Sequence, residues 1–155
     1  MIVRISLIIL LISCMKDKSP QSDDPSPNGS SVVVSDVNVS GEEGAYTFKV
    51  TLKSPDLGCN QYADWWEVIS EKGELIYRRN LSHSHVNEQP FTRSGGPVPI
   101  SKDENVFIRG HMNSNGYGLS GYFGNVTSGF LSYDLENDFA TELETQQPLP
   151  PDCQF

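Results

Sequence analysis

Basic residues are scarce in this chain. Eleven Lys and Arg face twenty Asp and Glu, a formal net charge of −9, and the densest basic cluster is the pair Arg78-Arg79. That excludes nucleic acid as a partner, because binding a phosphate backbone rests on many Lys and Arg contacts. It also excludes adhesion of the folded part itself to anionic lipid. The acidity reads instead as a solubility feature of an exported globule. Catalytic signatures are missing as well. Gly118-Leu119-Ser120-Gly121-Tyr122 fails the nucleophile-elbow pattern at its last position, and no phosphate loop or His-Glu-x-x-His is present. Beyond the first dozen residues no apolar pattern repeats with the 3.6-residue helical period.

What is present begins at the N-terminus. Met1-Ile2-Val3-Arg4 is a short basic start, followed by an apolar run from Ile5 to Ile12 interrupted only by Ser6. A bilayer-spanning helix needs about 20 apolar residues, whereas a secretory leader needs only about 7–15. The run ends in Leu11-Ile12-Ser13-Cys14, which resembles the lipobox of bacterial lipoproteins. The resemblance implies cleavage before Cys14, a diacylglyceryl group on its thiol, and membrane attachment through that lipid. Residues 1–13 are then a signal peptide. Residues 14–31 are the lipidated cysteine and a tether, since Met15 to Ser31 is built of Pro, Ser, Asp, Lys and Gly with no apolar cluster to fold around. Met15 after the cysteine, rather than Asp, points to the outer membrane of the cell envelope, with surface exposure an open alternative.

Residues 32–155 form one β-rich domain. Val32, Val34, Val37 and Val39 suggest a strand kinked at Ser35-Asp36, and Gly41 to Gly44 a turn. Tyr46, Phe48, Val50 and Leu52 alternate with Thr47, Lys49, Thr51 and Lys53, the period of a strand with one wet face. Trp65–Ser70 and Leu75–Asn80 flank Glu71-Lys72-Gly73-Glu74, a hairpin signal of the four-residue kind. Further strands are expected from Val106 through His111, within Tyr117–Gly129, and over Phe130–Leu135, whereas Pro90–Pro99 reads as a long loop. Asp134 to Asp138 reads as a solvated turn. Short strands at roughly ten-residue spacing predict an all-β, single antiparallel β-sandwich, with an open β-barrel as the alternative. The strand order resembles immunoglobulin-like and fibronectin-type modules.

Once Cys14 is assigned to lipid, Cys59 and Cys153 remain, an even number for an oxidising compartment. They are expected to pair and to tie down the Pro-rich C-terminal tail. A loop of that length contributes up to about 4–5 kcal/mol in the chain-entropy view.

Two residue groups qualify as candidate sites. His83 and His85 would share a face in extended chain, Glu88 follows, and His111 sits on a separate strand beside Met112. Three imidazoles and a carboxylate suit zinc, and an added thioether suits copper; structural or surface histidines explain the same residues. Tyr62, Trp65 and Trp66 form an aromatic cluster, with Tyr77 nearby. Adjacent tryptophans on a strand face opposite ways, so one is expected in the core and the other toward solvent or a ligand such as a sugar ring. Arg93, within Glu88 to Pro97, is a third candidate for ligand contact. The leading functional reading is a lipid-anchored, non-enzymatic binding module for a protein or glycan. A copper- or zinc-binding lipoprotein is the alternative, and a metal-dependent hydrolase ranks last because no general base stands out.

Overall fold

The computed structural model describes residues 31–154, so the leader, Cys14 and nearly all of the tether lie outside the described residues. Among the described residues, nine strands form two antiparallel sheets. The smaller sheet has the order β1-β2-β5, from β1 (Val33–Ser40), β2 (Tyr46–Lys53) and β5 (Phe91–Val98). The larger runs β4-β3-β6-β8-β9, from β3 (Ala63–Ser70), β4 (Leu75–Asn80), β6 (Val106–Met112), β8 (Ser120–Asn125) and β9 (Gly129–Asp134). The two-residue β7 (Gly116–Tyr117) pairs with β6. The sheets face each other without closing into a barrel, so the sandwich expectation holds and the barrel does not.

Strand β2 shows why the layers form. Tyr46, Phe48, Val50 and Leu52 are buried, while Lys49 and Lys53 point to water. Their partners across the core include Trp66, Val68, Val106, Ile108 and Met112. The kink in β1 is a bulge at Ser35, where the register against β2 shifts between Val34 and Asp36.

One expectation fails in an instructive way. The segment read as a loop between Pro90 and Pro99 is strand β5, paired along β2 from Leu52↔Phe91 to Tyr46↔Val98. Its glycines answer to close packing, not to unusual backbone angles. A Cβ on Gly95 would lie 2.9 Å from the Trp66 indole and 2.7 Å from the Tyr77 hydroxyl. Pro97 is tolerated because β5 is an edge strand and owes no donor on its outer side.

Strand β3 is buried on both faces, from Ala63 to Ile69. Trp66 and Val68 enter the inter-sheet core. On the opposite face, Ile69 joins a second cluster with Ala140 and Leu143 from the C-terminal segment. That segment carries a 3-10 helix, Thr141–Thr145, and covers the outer face of the sheet at β3.

Candidate functional site

The covered face of β3 is organised by one carboxylate. Glu67 is fully buried, and a lone buried charge is costly unless paired. Its Oε2 accepts from Arg78 Nε at 2.9 Å and Nη2 at 2.6 Å, and its Oε1 from Arg109 Nε at 2.9 Å. The rest of each guanidinium reaches the C-terminal segment. Arg78 donates to the carbonyls of Leu143 at 2.6 Å and Gln146 at 2.5 Å. Arg109 donates to those of Phe139 at 2.6 Å and Ala140 at 2.8 Å. The arginines also lie over aromatic rings: Arg78 is 4.4 Å from the Trp65 centroid and Arg109 is 3.4 Å from that of Tyr117. Burial, reinforced by the Glu67 charge, pushes the Tyr117 phenol well above its ordinary pKa. The arrangement is a clamp that straps residues 139–146 onto the sheet.

His111 sits beside the clamp, not with the other histidines. Its Nδ1 is 2.7 Å from Asp64 Oδ1, and its Nε2 is 3.4 Å from Glu144 Oε1. The imidazole stacks on Trp65, with centroids 3.6 Å apart and planes 4° from parallel. Glu144, Tyr117, Asn115, Asn137, Thr141 and Leu119 line a neighbouring cavity of about 400 Å³.

His83 and His85 occupy another region. His85 is buried against Phe91, ring on ring at 3.7 Å, and neither of its ring nitrogens has a hydrogen-bond partner among the described residues. Asp56 lies 3.9 Å from His85 Nδ1, too far for a hydrogen bond. The Asp56 carboxylate instead accepts from Ser54 Oγ, Ala63 N–H and His85 N–H. The His85 pKa is lowered from 6.5 to about 4, first by burial and then by Arg93 and His83, against the pull of Asp56 and Glu88. Glu88 is taken by Arg93 in an ion pair at 2.8 Å, and that hydrogen bond holds its carboxyl below the ordinary value.

The expected ligand set His83, His85, Glu88 and His111 is therefore divided. His111 lies with Asp64 and Glu144, and Glu88 with Arg93. Among the described residues no group of three or more His, Cys, Asp or Glu is placed to hold one ion. The aromatic expectation is corrected too. Tyr62, Trp65 and Trp66 are all buried. The adjacent tryptophans do face opposite ways, but the outward one, Trp65, is covered by Arg78, His111 and Tyr117. Of that proposed ligand set, Arg93 keeps partial exposure.

Cys59 and Cys153 form a disulfide across 94 residues of sequence. Beside it, Gln154 N–H donates to the Ser82 carbonyl at 2.6 Å, which lays this part of the tail against the His83 loop.

Sequence reasoning missed Asp56, Asp64, Glu67, Arg78 and Arg109. For Glu67 and Arg78 the signal was partial. The hairpin sets their strands side by side, but its turn closes on Ser70 and Glu74, and a register shift between Val68 and Ile69 then brings Glu67 opposite Arg78. Arg109 had no such local signal, because its pairing with Glu67 joins β6 to β3.

No protein-family model matches this chain, and no solved structure resembles it closely enough to count as a match. A protein of Halomicrobium mukohataei named "Putative lipoprotein" is 41% identical to it over 86 residues. The match covers 55% of this chain and 42% of that protein, so the chain spans well under half the length of the relative it resembles.

Proposed function

We propose that this protein is a lipid-anchored, exported interaction module of the cell envelope and not an enzyme. The observation that carries the reading is the order of basic start, apolar run, Leu11-Ile12-Ser13-Cys14 and polar tether ahead of a disulfide-closed sandwich. The name of the Halomicrobium relative supports it. The arrangement of charge supports the non-enzymatic part: Glu67, Arg78, Arg109 and Asp56 are spent on holding segments together. Met15 after the cysteine favours the outer membrane. The copper or zinc alternative is weakened by the separation of His111 from His83 and His85 and by the Glu88–Arg93 pair.

Fractionation of cells expressing the full chain tests the anchor. The protein is expected in the membrane fraction, with an N-terminal peptide heavier by the mass of the acyl groups. Cys14→Ala is expected to lose both the added mass and the membrane attachment. An unmodified Cys14 in a soluble protein overturns the reading. Titration of the purified chain with Cu2+ and Zn2+ addresses the alternative, which stable binding lost in His83→Ala would revive.

A further inference from the structure

Four strands end the two sheets, and three of them carry devices that discourage pairing with another chain. β1 has its bulge at Ser35, β5 has Pro97 and Arg93, and β4 has Arg79. β9 has only Asp134 at its far end: Gly129-Phe130-Leu131-Ser132-Tyr133 lacks any charged residue or Pro, and its register with β8 runs unbroken. Nothing among the described residues pairs with its other side.

The outer face beside this edge is apolar. Leu131 is 77% exposed and Tyr133 is 45% exposed. They continue a row across the sheet, because Leu131 pairs with Phe123 and Phe123 with Phe107. The rings of Phe107 and Phe123 lie 4.5 Å apart, and Tyr133 is 5.4 Å from Phe107. An exposed apolar row running into an open edge is a surface that wants a cover.

Charge and register select the occupant. From Gly110 to Tyr133 the chain has no Lys, Arg, Asp or Glu, the longest such stretch in a protein of net charge −9. Two copies can meet along the β8–β9 hairpin without bringing like charges face to face. The tether cannot supply the cover: Met15 to Ser30 holds no aliphatic or aromatic residue beyond Met15.

We infer that β9 pairs antiparallel with β9 of a second copy, so that the larger sheets join across a two-fold axis through Leu131. In that register Tyr133 lies opposite Gly129 of the second copy, an aromatic covering a glycine. Phe130 meets Ser132, and Asp134 meets Ser128. A shift by one residue turns one copy's inner face outward. A shift of the axis to Ser132 sets Asp134 against Phe130.

Cross-linking of the full chain in its membrane is the test. Cross-strand Cα atoms about 4.5–5.5 Å apart fall within disulfide range, and Cys59 and Cys153 are already bridged. Leu131→Cys is expected to give a disulfide-linked homodimer under mild oxidation, whereas Lys49→Cys, exposed on the other sheet, does not. In detergent, sedimentation of the full chain is expected to show a dimer that tightens as salt screens the net charge. Leu131→Lys is expected to weaken it about tenfold or more with the far-ultraviolet spectrum unchanged. A monomer at every concentration, Leu131→Cys cross-linking no better than Lys49→Cys, or cross-links only to a different protein each overturns the proposal. Lipidation of Cys14 is read separately, so failure here leaves the anchor untouched.

Discussion

Replacing Glu67 with glutamine keeps the side chain's shape and removes the one negative charge between two buried guanidiniums. In the native protein Glu67 accepts three short hydrogen bonds, two from Arg78 and one from Arg109. Glutamine can accept through its carbonyl oxygen alone, and its amide then points donors at a donor. Both arginines stay buried, held by carbonyls of residues 139–146 with no anion between them. Removing one partner of a buried ion pair costs about 3–5 kcal/mol, and the double pairing places Glu67→Gln in that range. Urea unfolding monitored by tryptophan fluorescence reads the loss directly, because Trp65 lies against Arg78. Limited proteolysis should show a second effect, earlier cleavage between Glu136 and Gln147, as the strap loosens. An apolar triple variant, Glu67→Leu with Arg78→Met and Arg109→Met, separates the two roles. It removes the uncompensated charge and so regains part of the stability, yet the strap carbonyls lose their donors and cleavage stays early. A Glu67→Gln cost below about 1 kcal/mol, the level of an exposed ion pair, refutes the clamp.

Three further outcomes are expected. Cys59→Ser with Cys153→Ser opens a loop spanning 94 residues and should cost up to about 4–5 kcal/mol, measured by urea unfolding with a matched reduced control. His85 is held near pH 4, below its unfolded 6.5, so the unfolded chain binds the extra proton. The neutral imidazole's contribution is complete above pH 6.5 and is lost as pH falls toward 4, by up to about 3 kcal/mol. His85→Phe should flatten that part of the stability–pH curve, and equal slopes in the two proteins contradict the assignment. Gly95→Ala forces a methyl against Trp66 and the Tyr77 hydroxyl and should cost about 1–3 kcal/mol in thermal or urea unfolding; an unchanged midpoint contradicts the tight fit.

Much of the fold was legible because β-structure writes a local period. The alternation in β2 and the turn at Glu71–Glu74 needed only neighbouring residues to be read, and both stand in the structure. Strand β5 was not legible, because Gly95, Gly96 and Pro97 argue locally for a loop. The reason for Gly95 lies in Trp66, distant in sequence and pressed on it from the facing sheet, and that for Gly96 in the backbone of Tyr46 on the neighbouring strand β2. The exposed tryptophan failed for the same kind of reason. Period two sends one tryptophan of the pair away from the inter-sheet core, but only the docking of the C-terminal segment, with Arg78 and Arg109 beneath it, decides that this face is dry.

By itself the sequence determined the β class, the hairpin of β3 and β4, and the cysteine pair, all of which follow from local spacing or from counting. The tertiary structure decided which charges are buried and which histidines meet. Those outcomes depend on what a strand's second face packs against, and for β3 that is a segment some seventy residues later, held by Arg78 and Arg109.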